Sequence, residues 1–392
     1  MSNISKDSKI NTIKSVFIQN LISPYRANFF NELSHYDSSF GVYYLGEKEA
    51  DRNWDLSKIP MKHPYWIDRF GLYTIIRHFH IHVNPLLVTK VLISRKIKNI
   101  ILCVSYNDLN IVAIALAKRF HLTNKKLFFW AEANYLTNGA RKKESFLKKH
   151  LRAFVFKSVD GAMIIPGTMA KITFQKWNIP IRNIIYLPNT INDQDLLYLS
   201  NNNRDNNILP HFIIPVRLIE SLKGVLNFFD AIGLDNIRKA RFIIAGEGED
   251  RIIYEQYIDN YGLHDHIKLV GFCESRQMME FYNNSNAFLL PSFSDPSPLT
   301  LVEALKFHLP ILCSSHCGNH FEVVKDGVNG YTFSPLDKID IRSKFETLIQ
   351  RRNEWKAMGE ESAIIYKEVF ETKKVIRNFI NQFSIFDLED NL

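Results

Sequence analysis

The amino-acid sequence predicts an α/β protein built from two doubly wound domains, each a parallel sheet with helices on both faces. Short apolar runs, which are typical of buried strands, alternate with stretches at helical spacing along most of the chain. The alternation stops once, at the polar run SNNNRDNN, and then resumes. We therefore expect an N-terminal domain over 1–192, a linker over 193–210 and a second domain over 211–370. A C-terminal helix over 371–392 should pack back on the N-terminal domain.

The composition is that of a globular protein with an anionic partner. The chain has 392 residues, of which 46% are hydrophobic and 23% are charged, so disorder is not expected. An excess of 49 basic over 41 acidic residues gives a net charge of +8, which favours an anionic ligand without naming it. The sequence contains no nucleic-acid-binding motif and no apolar run long enough to span a bilayer. The polar start MSNISKDSKINTIKS lacks a signal-peptide core, so we expect a cytoplasmic protein.

The cysteines and histidines do not indicate a metal site. Cys313 and Cys317 have no second Cys or His pair to complete a zinc site, so the four cysteines are expected to be reduced thiols. His78, His80 and His82 alternate within a stretch that looks helical, and alternation scatters side chains around a helix. We therefore expect neither the cysteines nor these histidines to form a metal site.

The first domain is predicted to contain six strands separated by helices. The strands are expected at 15–19, 40–45, 99–105, 127–134, 161–166 and 184–189. Helices are expected after the first strand and at 72–95, 108–120, 142–158 and 169–177. Residues 46–70 are rich in aromatic side chains but have no clear period, so we expect an irregular substrate loop there.

The second domain repeats the alternation. Its strands are expected in HFIIPV, ARFIIAGEGE, HIKLVGF, NAFLLPS, LPIL and GYTF. Its longer helices are expected at 223–232, 250–261, 276–283, 337–350 and 354–384.

The segment 291–315, PSFSDPSPLTLVEALKFHLPILCSS, organises this second domain. Ser297 can cap a helix, and Pro298 suits the first helical position. Asp295 is therefore expected on a strand-to-helix turn, with Glu303 early in the helix. Taken alone, either acid is more simply explained as a turn residue or a solvated helix residue.

This turn is expected to bind a ligand, because ligands of open α/β sheets bind at the carboxyl ends of the strands. The backbone N–H groups of Leu299 and Thr300, together with the helix dipole, would suit a phosphate. The carboxylates of Asp295 and Glu303 could accept hydrogen bonds from hydroxyl groups, one of a sugar and one of a ribose.

The run from Pro291 to Ala304 resembles the hallmark of the retaining glycosyltransferases of the GT-B fold, most closely family 4, in which two glutamates are separated by seven residues. VRLIESLKG resembles that family's G-R-L-x-x-x-K-G, and GNHFEVVKDGVNG resembles its G-G-x-x-E-x-V-x-D-G-x-N-G. FIIAGEGED, IKLVGF and YLPNTIN are similar to further parts of the pattern. The resemblance is specific over 184–340 and only architectural over 1–180.

The resemblance implies a binding site for a nucleotide-sugar donor and no metal. Arg217 and Lys223 would clamp the diphosphate and stabilise negative charge on the leaving nucleoside diphosphate. Glu303 would bind the ribose hydroxyls, Asp295 would bind a hydroxyl of the donor sugar, and Asn189 would lie near the interdomain cleft. The other positions assigned to donor binding are Gly271, Phe272, Pro298, Leu299 and Thr300.

The sequence departs from the family pattern at several positions. Asp295 stands in place of a Glu, Ser297 and Pro298 in place of Phe-Gly, and Asn319 in place of the second Gly. One extra residue separates the two basic positions. The leading interpretation is transfer of a sugar to an acceptor hydroxyl with retention, in bacterial surface polysaccharide or glycan biosynthesis. These departures keep a second interpretation open, a catalytically silent GT-B subunit that binds a nucleotide sugar or a partner glycosyltransferase; a sugar-nucleotide epimerase is a third.

The acceptor side of the cleft is less well defined. Glu132, in FFWAEANYLTNG, follows a predicted strand and could orient or deprotonate an acceptor hydroxyl. It could equally form a salt bridge with Arg141 or Lys142. Tyr25 and Arg26 could also line the cleft. The expected acceptor is a glycan or a lipid-linked glycan.

A basic amphipathic segment is predicted at 141–157, RKKESFLKKHLRAFVFK, which contains a single acid. Such a helix can lie on an anionic bilayer, or its apolar stripe can pack on the sheet and leave a solvated basic face. We expect the stripe to pack and the basic face to bring the protein to the inner face of the cell membrane. The stripe consists of Phe146, Leu147, Leu151, Phe154 and Val155.

Overall fold

The computed structural model describes residues 12–46, 59–68, 83–138, 145–193 and 209–388. Several residues named above lie outside these ranges, among them the three alternating histidines, the basic residues 141–143 and the polar run at 200–207.

The N-terminal domain contains a seven-stranded parallel sheet in the order β3-β2-β1-β4-β5-β6-β7. The chain starts in the middle of the sheet, winds to one edge, returns to β4 and winds to the other edge, which is the doubly wound topology that the sequence predicts. The strands are β1 (Ser15–Gln19), β2 (Phe40–Tyr44), β3 (Tyr65–Ile67), β4 (Asn99–Leu102), β5 (Lys126–Trp130), β6 (Met163–Ile165) and β7 (Ile184–Tyr186).

Helices connect these strands and bury both faces of the sheet. One core cluster contains Val91, Ile111 and Val155, from three helices on the same face. The helices of this domain are α1 (Pro24–Tyr36), α2 (Pro85–Ile93), α3 (Leu109–Arg119), α4 (Tyr135–Asn138), α5 (Phe146–Lys157) and α6 (Thr168–Lys176).

The second domain contains a six-stranded parallel sheet in the order β10-β9-β8-β11-β12-β13. The winding direction reverses between β8 and β11, so the loops that follow these two strands emerge side by side at the carboxyl edge. The strands are β8 (His211–Pro215), β9 (Arg241–Ala245), β10 (Ile267–Gly271), β11 (Ala287–Leu290), β12 (Ile311–Ser314) and β13 (Gly330–Phe333).

The helices of the second domain cover its sheet, and the chain then returns to the first domain. They are α7 (Glu220–Lys223), α8 (Val225–Ile232), α9 (Leu234–Ile237), α10 (Arg251–Tyr261), α11 (Ser275–Asn284), α12 (Leu299–Lys306), α13 (His320–Val323), α14 (Lys338–Gln350), α15 (Trp355–Ile365) and α16 (Thr372–Leu388).

Helix α16 packs on the face of the N-terminal sheet opposite to α2, α3 and α5. Its Phe379 lies in one core cluster with Phe17, Phe30 and Phe40, and the rings of Phe379 and Phe17 are 6.3 Å apart. Helices α1 and α16 therefore form the second helical layer of the N-terminal domain.

The segment that joins the domains is anchored at its start. The carboxylate of Asp193 accepts hydrogen bonds from the Lys306 ammonium, the Tyr366 hydroxyl and the Thr372 backbone N–H. The first residue of the predicted linker therefore binds the second domain where the chain leaves it towards α16.

Two sequence-based expectations about secondary structure are wrong. Residues 46–70 contain a strand, β3, whose residue Trp66 stacks on Tyr43. The sequence did not predict this strand, because three residues are too few to show a hydrophobic period. The helix expected over 354–384 is broken: α15 passes into a π-helical turn at Tyr366–Phe370, and α16 starts at Thr372. The helix is broken at the point where the chain leaves the second domain and returns to the N-terminal domain.

Candidate active site

The loop after β8 and the loop after β11 meet through a charge pair. The Lys223 ammonium donates a hydrogen bond to the Asp295 carboxylate, with 2.6 Å between Nζ and Oδ2. The two side chains are 18% and 16% exposed, so water screens the pair only weakly. The structure therefore brings together two residues that the sequence assigned to the donor site.

A glycine permits this close approach. Gly224, at the end of α7, has a φ of 61°, in the left-handed region. A Cβ at this position would lie 2.8 Å from the Phe293 ring and 3.1 Å from the Pro291 carbonyl oxygen. The backbone N–H groups of Phe293 and Ser294 both donate to the Leu222 carbonyl, at 2.9 and 3.1 Å. The lysine loop is thus fastened to the motif loop along its backbone.

The loop after β12 supports the motif loop from the other side. The Gly318 N–H donates to the Asp295 carbonyl at 2.9 Å, and a Cβ at Gly318 would lie 1.8 Å from the Pro296 carbonyl oxygen. The neighbouring Asn319 donates through Nδ2 to the Pro298 carbonyl at 3.0 Å. The residue that replaces the second Gly of the family pattern therefore holds the start of α12.

The start of α12 differs from the expectation by one residue. The helix begins at Leu299, with Pro298 at the N-cap position, and no side chain caps it. Ser297 lies one residue before the N-cap, and its hydroxyl accepts a hydrogen bond from Asn189 Nδ2 at 3.0 Å. The N–H groups of Leu299 and Thr300 lie in the first turn of α12, where a phosphate site was predicted.

Glu303 lies one turn into α12 and is held by a buried tyrosine. The Tyr282 hydroxyl donates to Glu303 Oε2 at 2.6 Å. Tyr282 is fully buried and stacks on Phe307, with 4.9 Å between ring centroids. Burial raises the pKa of the Glu303 carboxyl above its ordinary value, and the hydrogen bond from Tyr282 opposes that rise. One carboxylate oxygen is therefore fixed, which orients the other.

The remaining predicted donor residues lie on loops at the same carboxyl edge. Arg217 is exposed in the loop after β8. Gly271 ends β10 with a φ of 75°, and the next residue, Phe272, is 68% exposed. The strands that precede these residues, β8 and β10, flank β9 in the sheet, so their loops are near neighbours.

On the opposite side of the cleft, Glu132 is held by two donors. Arg26 Nη2 lies 2.5 Å from Glu132 Oε1, and Asn189 Nδ2 donates to the same oxygen at 2.9 Å. The Arg26 guanidinium also lies 3.7 Å from the centroid of the Trp130 ring. The salt bridge of Glu132 is therefore with Arg26, whereas the partners weighed from sequence, at 141–142, lie outside the described residues.

The two domains also touch through two further side chains. Asn134 Nδ2 donates to the His316 carbonyl at 2.9 Å. Glu322, on α13, accepts a hydrogen bond from the Thr168 N–H at the start of α6, at 2.7 Å. Burial raises the pKa of the Glu322 carboxyl, and a Cβ at Gly167 would lie 2.5 Å from it.

The sequence did not reveal the roles of Tyr282 and Glu322. Both were inside segments matched to the family pattern, MEFYNNSNAFLLPS and GNHFEVVKDGVNG, but nothing in their spacing indicates a hydrogen bond to Glu303 or to the other domain. Such contacts follow from tertiary structure and have no local signal.

A family model supplies an independent test of this second domain. Residues 202–364 match the model described as glycosyl transferases group 1. The match spans most of the second domain, which we refer to below as the group 1 domain. The resemblance drawn from the sequence motifs is thereby confirmed at the level of group 1.

Curated relatives match parts of the same region. The alpha-monoglucosyldiacylglycerol synthase of Acholeplasma laidlawii is 32% identical over 101 residues, which are 26% of this chain and 25% of that protein. The sulfoquinovosyl transferase SQD2 of Arabidopsis thaliana is 22% identical over 202 residues, which are 50% of this chain and 37% of that protein. The chain thus spans between about a quarter and two fifths of the length of these relatives.

Solved structures match the whole architecture. HepE of Anabaena in complex with UDP and glucose has a TM-score of 0.70 and 16% identity, and covers 95% of this chain and 99% of its own. The lipopolysaccharide outer core galactosyltransferase WaaB has a TM-score of 0.70 and 16% identity, and the match covers 94% of this chain and 99% of the WaaB chain. The group 1 domain is therefore one half of a GT-B fold, as predicted.

Proposed function

We propose that the protein is a metal-independent glycosyltransferase of family 4 type, which transfers a sugar from a nucleotide-sugar donor to an acceptor hydroxyl with retention of the anomeric configuration. The main support for this proposal is the ion pair between Lys223 and Asp295, which joins the loops after β8 and β11 in the group 1 domain. Glu303 lies on α12, the helix that follows Asp295. A cation for a diphosphate and two carboxylates for hydroxyls are the groups that a nucleotide sugar requires.

The donor would bind along the carboxyl edge of the second sheet. Lys223 and Arg217 would hold the diphosphate, Asp295 a hydroxyl of the donor sugar, and the unfixed oxygen of Glu303 the ribose. The N–H groups at the start of α12 would add dipoles towards the phosphates. The further donor contacts would come from Gly271, Phe272, Pro298, Leu299 and Thr300.

The chemical step breaks the bond between the anomeric carbon and the diphosphate oxygen, and the bonding electrons leave with the nucleoside diphosphate. Arg217 and Lys223 stabilise that growing negative charge, which is the largest contribution expected from the protein. The acceptor oxygen forms the new bond to the anomeric carbon on the face that the diphosphate leaves. Glu132 orients the acceptor hydroxyl and receives its proton.

The proposed acceptor is a glycan or a lipid-linked glycan of a bacterial surface polysaccharide. Support comes from WaaB, which by its description acts on the lipopolysaccharide outer core, and from a relative named as a glycosyldiacylglycerol synthase. Both are similar to this chain in fold or over part of its sequence.

The test is release of nucleoside diphosphate from UDP-, ADP- and GDP-sugars, with and without glycan and glycolipid acceptors. Acceptor-dependent release, together with a product of the donor's anomeric configuration, is the expected result. A thermal-shift titration with UDP, ADP and GDP runs in parallel, since a ligand at about 100 times its Kd stabilises the fold by about 2.7 kcal/mol. Nucleotide binding without release in the presence of any acceptor would instead favour the catalytically silent subunit.

We also propose a peripheral contact with an anionic membrane, and the structure changes the surface that would make it. Helix α5 has two halves: Arg152 is buried beside Trp177, with Val155 in the core, whereas Phe146 and Leu147 are each 77% exposed. The apolar stripe expected to pack as a whole therefore packs only through its C-terminal half.

Neighbouring helices extend the exposed apolar surface. On α3, Leu109 and Leu116 are 49% and 40% exposed, and Phe120, the C-cap residue of this helix, is 69% exposed. On α2, Leu86 and Ile93 are 65% and 73% exposed. We refer to these outer sides of α2, α3 and α5 as the apolar-basic face.

The charge of the apolar-basic face is strongly positive. Residues 83–122 contain six Lys or Arg against one acid, Asp108, and one of the six, Lys118, pairs with Asp160. Residues 145–157 contain no acid and three exposed lysines, Lys148, Lys149 and Lys157. Each basic residue near an anionic bilayer contributes about 1 kcal/mol of attraction, which salt weakens. Within the described residues, no helix is both long and apolar enough to cross a membrane.

Co-sedimentation with phosphatidylserine-containing and with pure phosphatidylcholine vesicles tests this contact. We expect binding only to the anionic vesicles, lost at high salt and in a variant with Phe120→Ser and Lys148→Gln and Lys149→Gln. The matched control is Ile339→Ser, which changes a side chain 83% exposed on the other domain. Equal binding to both kinds of vesicle, or none to either, would refute the contact.

A further inference from the structure

Ser297 is one of the positions at which the sequence departs from the family pattern, and the structure gives its hydroxyl a specific partner. Asn189 Nδ2 donates to Ser297 Oγ at 3.0 Å, across the boundary between the domains. Both residues are nearly inaccessible, at 9% and 5% exposure. A phenylalanine, which the pattern has at this position, could not accept this hydrogen bond.

The same amide group reaches the acceptor side of the cleft. Asn189 Nδ2 also donates to Glu132 Oε1 at 2.9 Å. One amide nitrogen therefore connects the motif loop after β11, which carries Asp295, to the carboxylate that faces the acceptor.

Glu132 is fixed from its other side by a shielded cation. Arg26 Nη2 lies 2.5 Å from Glu132 Oε1, and its side chain is 8% exposed. Charge-assisted contacts of this kind are about twice as strong as neutral ones. Since Arg26 and Asn189 both use Oε1, the other oxygen of Glu132 stays available for a ligand.

From this arrangement we infer that Ser297 and Asn189 are positioning residues, which couple occupancy of the donor loop to the orientation of Glu132. The inference rests on the proposed function, because it assigns a regulation to that site. A nucleotide sugar that orders the loop carrying Asp295 also fixes Ser297. Ser297 in turn fixes the amide of Asn189, and the free oxygen of Glu132 is then held towards the acceptor hydroxyl.

The experiment is hydrogen exchange of the full-length protein, alone and with UDP, ADP or GDP as separate probes. Wild type is expected to gain protection locally, at 217–224 and 291–303, and remotely, at 126–138 around Glu132. In Ser297→Ala the local protection stays and the remote protection is lost. Ser297→Thr keeps a hydroxyl and should behave as wild type. Ser294→Ala, in the same loop, is the matched control and should also keep both effects.

The outcomes separate this inference from the proposed function. Remote protection in Ser297→Ala equal to that in wild type overturns the coupling and leaves the donor site intact. Absence of local protection with every nucleotide refutes the donor site instead. In that case the hydrogen bonds of Asn189 to Ser297 and Glu132 are tested by hydrogen exchange without nucleotide. Residues 126–138 should exchange faster in Ser297→Ala and Asn189→Ala than in wild type, and equal rates overturn the inference.

A rate measurement supplies a readout that a purely structural role would not change. Loss of one hydrogen bond should lower transfer to the acceptor about fivefold in Ser297→Ala, and hydrolysis of the same donor by water should stay within about twofold. The effects of Ser297→Ala and Asn189→Ala on the rate of transfer should not add, because both substitutions remove the same hydrogen bond between Asn189 and Ser297. Independent effects of the two substitutions would count against the coupling.

Discussion

Removing the Tyr282 hydroxyl should weaken both the fold and the donor site. In Tyr282→Phe, Glu303 Oε2 loses the donor that lies 2.6 Å away, and the ring stays in its stack on Phe307. Tyr282 is fully buried, so water cannot replace its hydroxyl. A hydrogen bond to a charged group contributes about 1.5–3 kcal/mol, and we expect a loss of about 2 kcal/mol in the free energy of unfolding at pH 8.

The size of that loss should depend on pH. Burial raises the pKa of Glu303, so the folded protein binds a proton at this carboxyl more tightly than the unfolded chain does. The resulting stability is present below the unfolded pKa and is lost as pH rises through the folded pKa. The Tyr282 hydrogen bond lowers the pKa of Glu303, so its removal makes that loss larger. The difference between wild type and Tyr282→Phe should therefore widen from acidic to alkaline pH.

Urea unfolding at pH 5 and pH 8, combined with nucleotide titration, measures these effects. We expect a smaller destabilisation at pH 5 than at pH 8, because the raised pKa of Glu303 leaves more of this carboxyl protonated at the lower pH, and a protonated carboxyl accepts only a neutral hydrogen bond. Affinity for UDP, ADP or GDP should fall as well, because Glu303 is no longer held. Tyr257→Phe, which removes a tyrosine contact to Asp230 away from this site, is the control and should leave nucleotide affinity unchanged. A pH-independent difference, or unchanged affinity in Tyr282→Phe, would refute this role of the tyrosine.

Four further substitutions and one treatment test the donor site. Lys223→Ala and Glu303→Ala should each lower turnover by about 100- to 1000-fold while circular dichroism shows a folded protein, and near wild-type rates in either would exclude the site. Asp295→Glu should retain or raise transfer, whereas Asp295→Asn, which cannot balance the Lys223 charge 2.6 Å away, should lower it; a fully active Asn variant would make Asp295 a turn residue only. EDTA should leave the initial rate of transfer unchanged, and inhibition reversed by a divalent ion would contradict the metal-free mechanism.

The fold was largely predictable because parallel strands buried on both faces appear as continuous apolar runs. HFIIPV and NAFLLPS correspond to β8 and β11, and both were recognised from composition alone. The strand β3 was not recognised, because it has only three residues and its surroundings have no clear period. The break at Tyr366–Phe370 was not recognised either, because it does not interrupt the helical pattern of apolar residues. Local periodicity cannot show where a chain leaves one domain for another.

The candidate site was predictable only as a set of residue types. The family resemblance assigned Lys223 and Asp295 to one donor site, and the winding of the sheet explains why they meet. The partners of Glu132 could not be found in the same way: Arg26 and Asn189 follow strands distant in sequence, and only the folded sheet brings them to one oxygen. Hydrogen bonds between domains leave no pattern in the sequence, so they can be found only in the structure.

The position of α16 determines the order in which the protein can mature on the ribosome. Phe379 and Phe383 complete the core around Phe17, yet they are synthesised only after the entire group 1 domain. In the first domain to be translated, α1 therefore covers only part of this sheet face until α16 is made, while the second domain, whose own core is continuous, can already fold. An isolated fragment over 1–192 would expose that aromatic surface and should aggregate unless the α16 sequence is supplied.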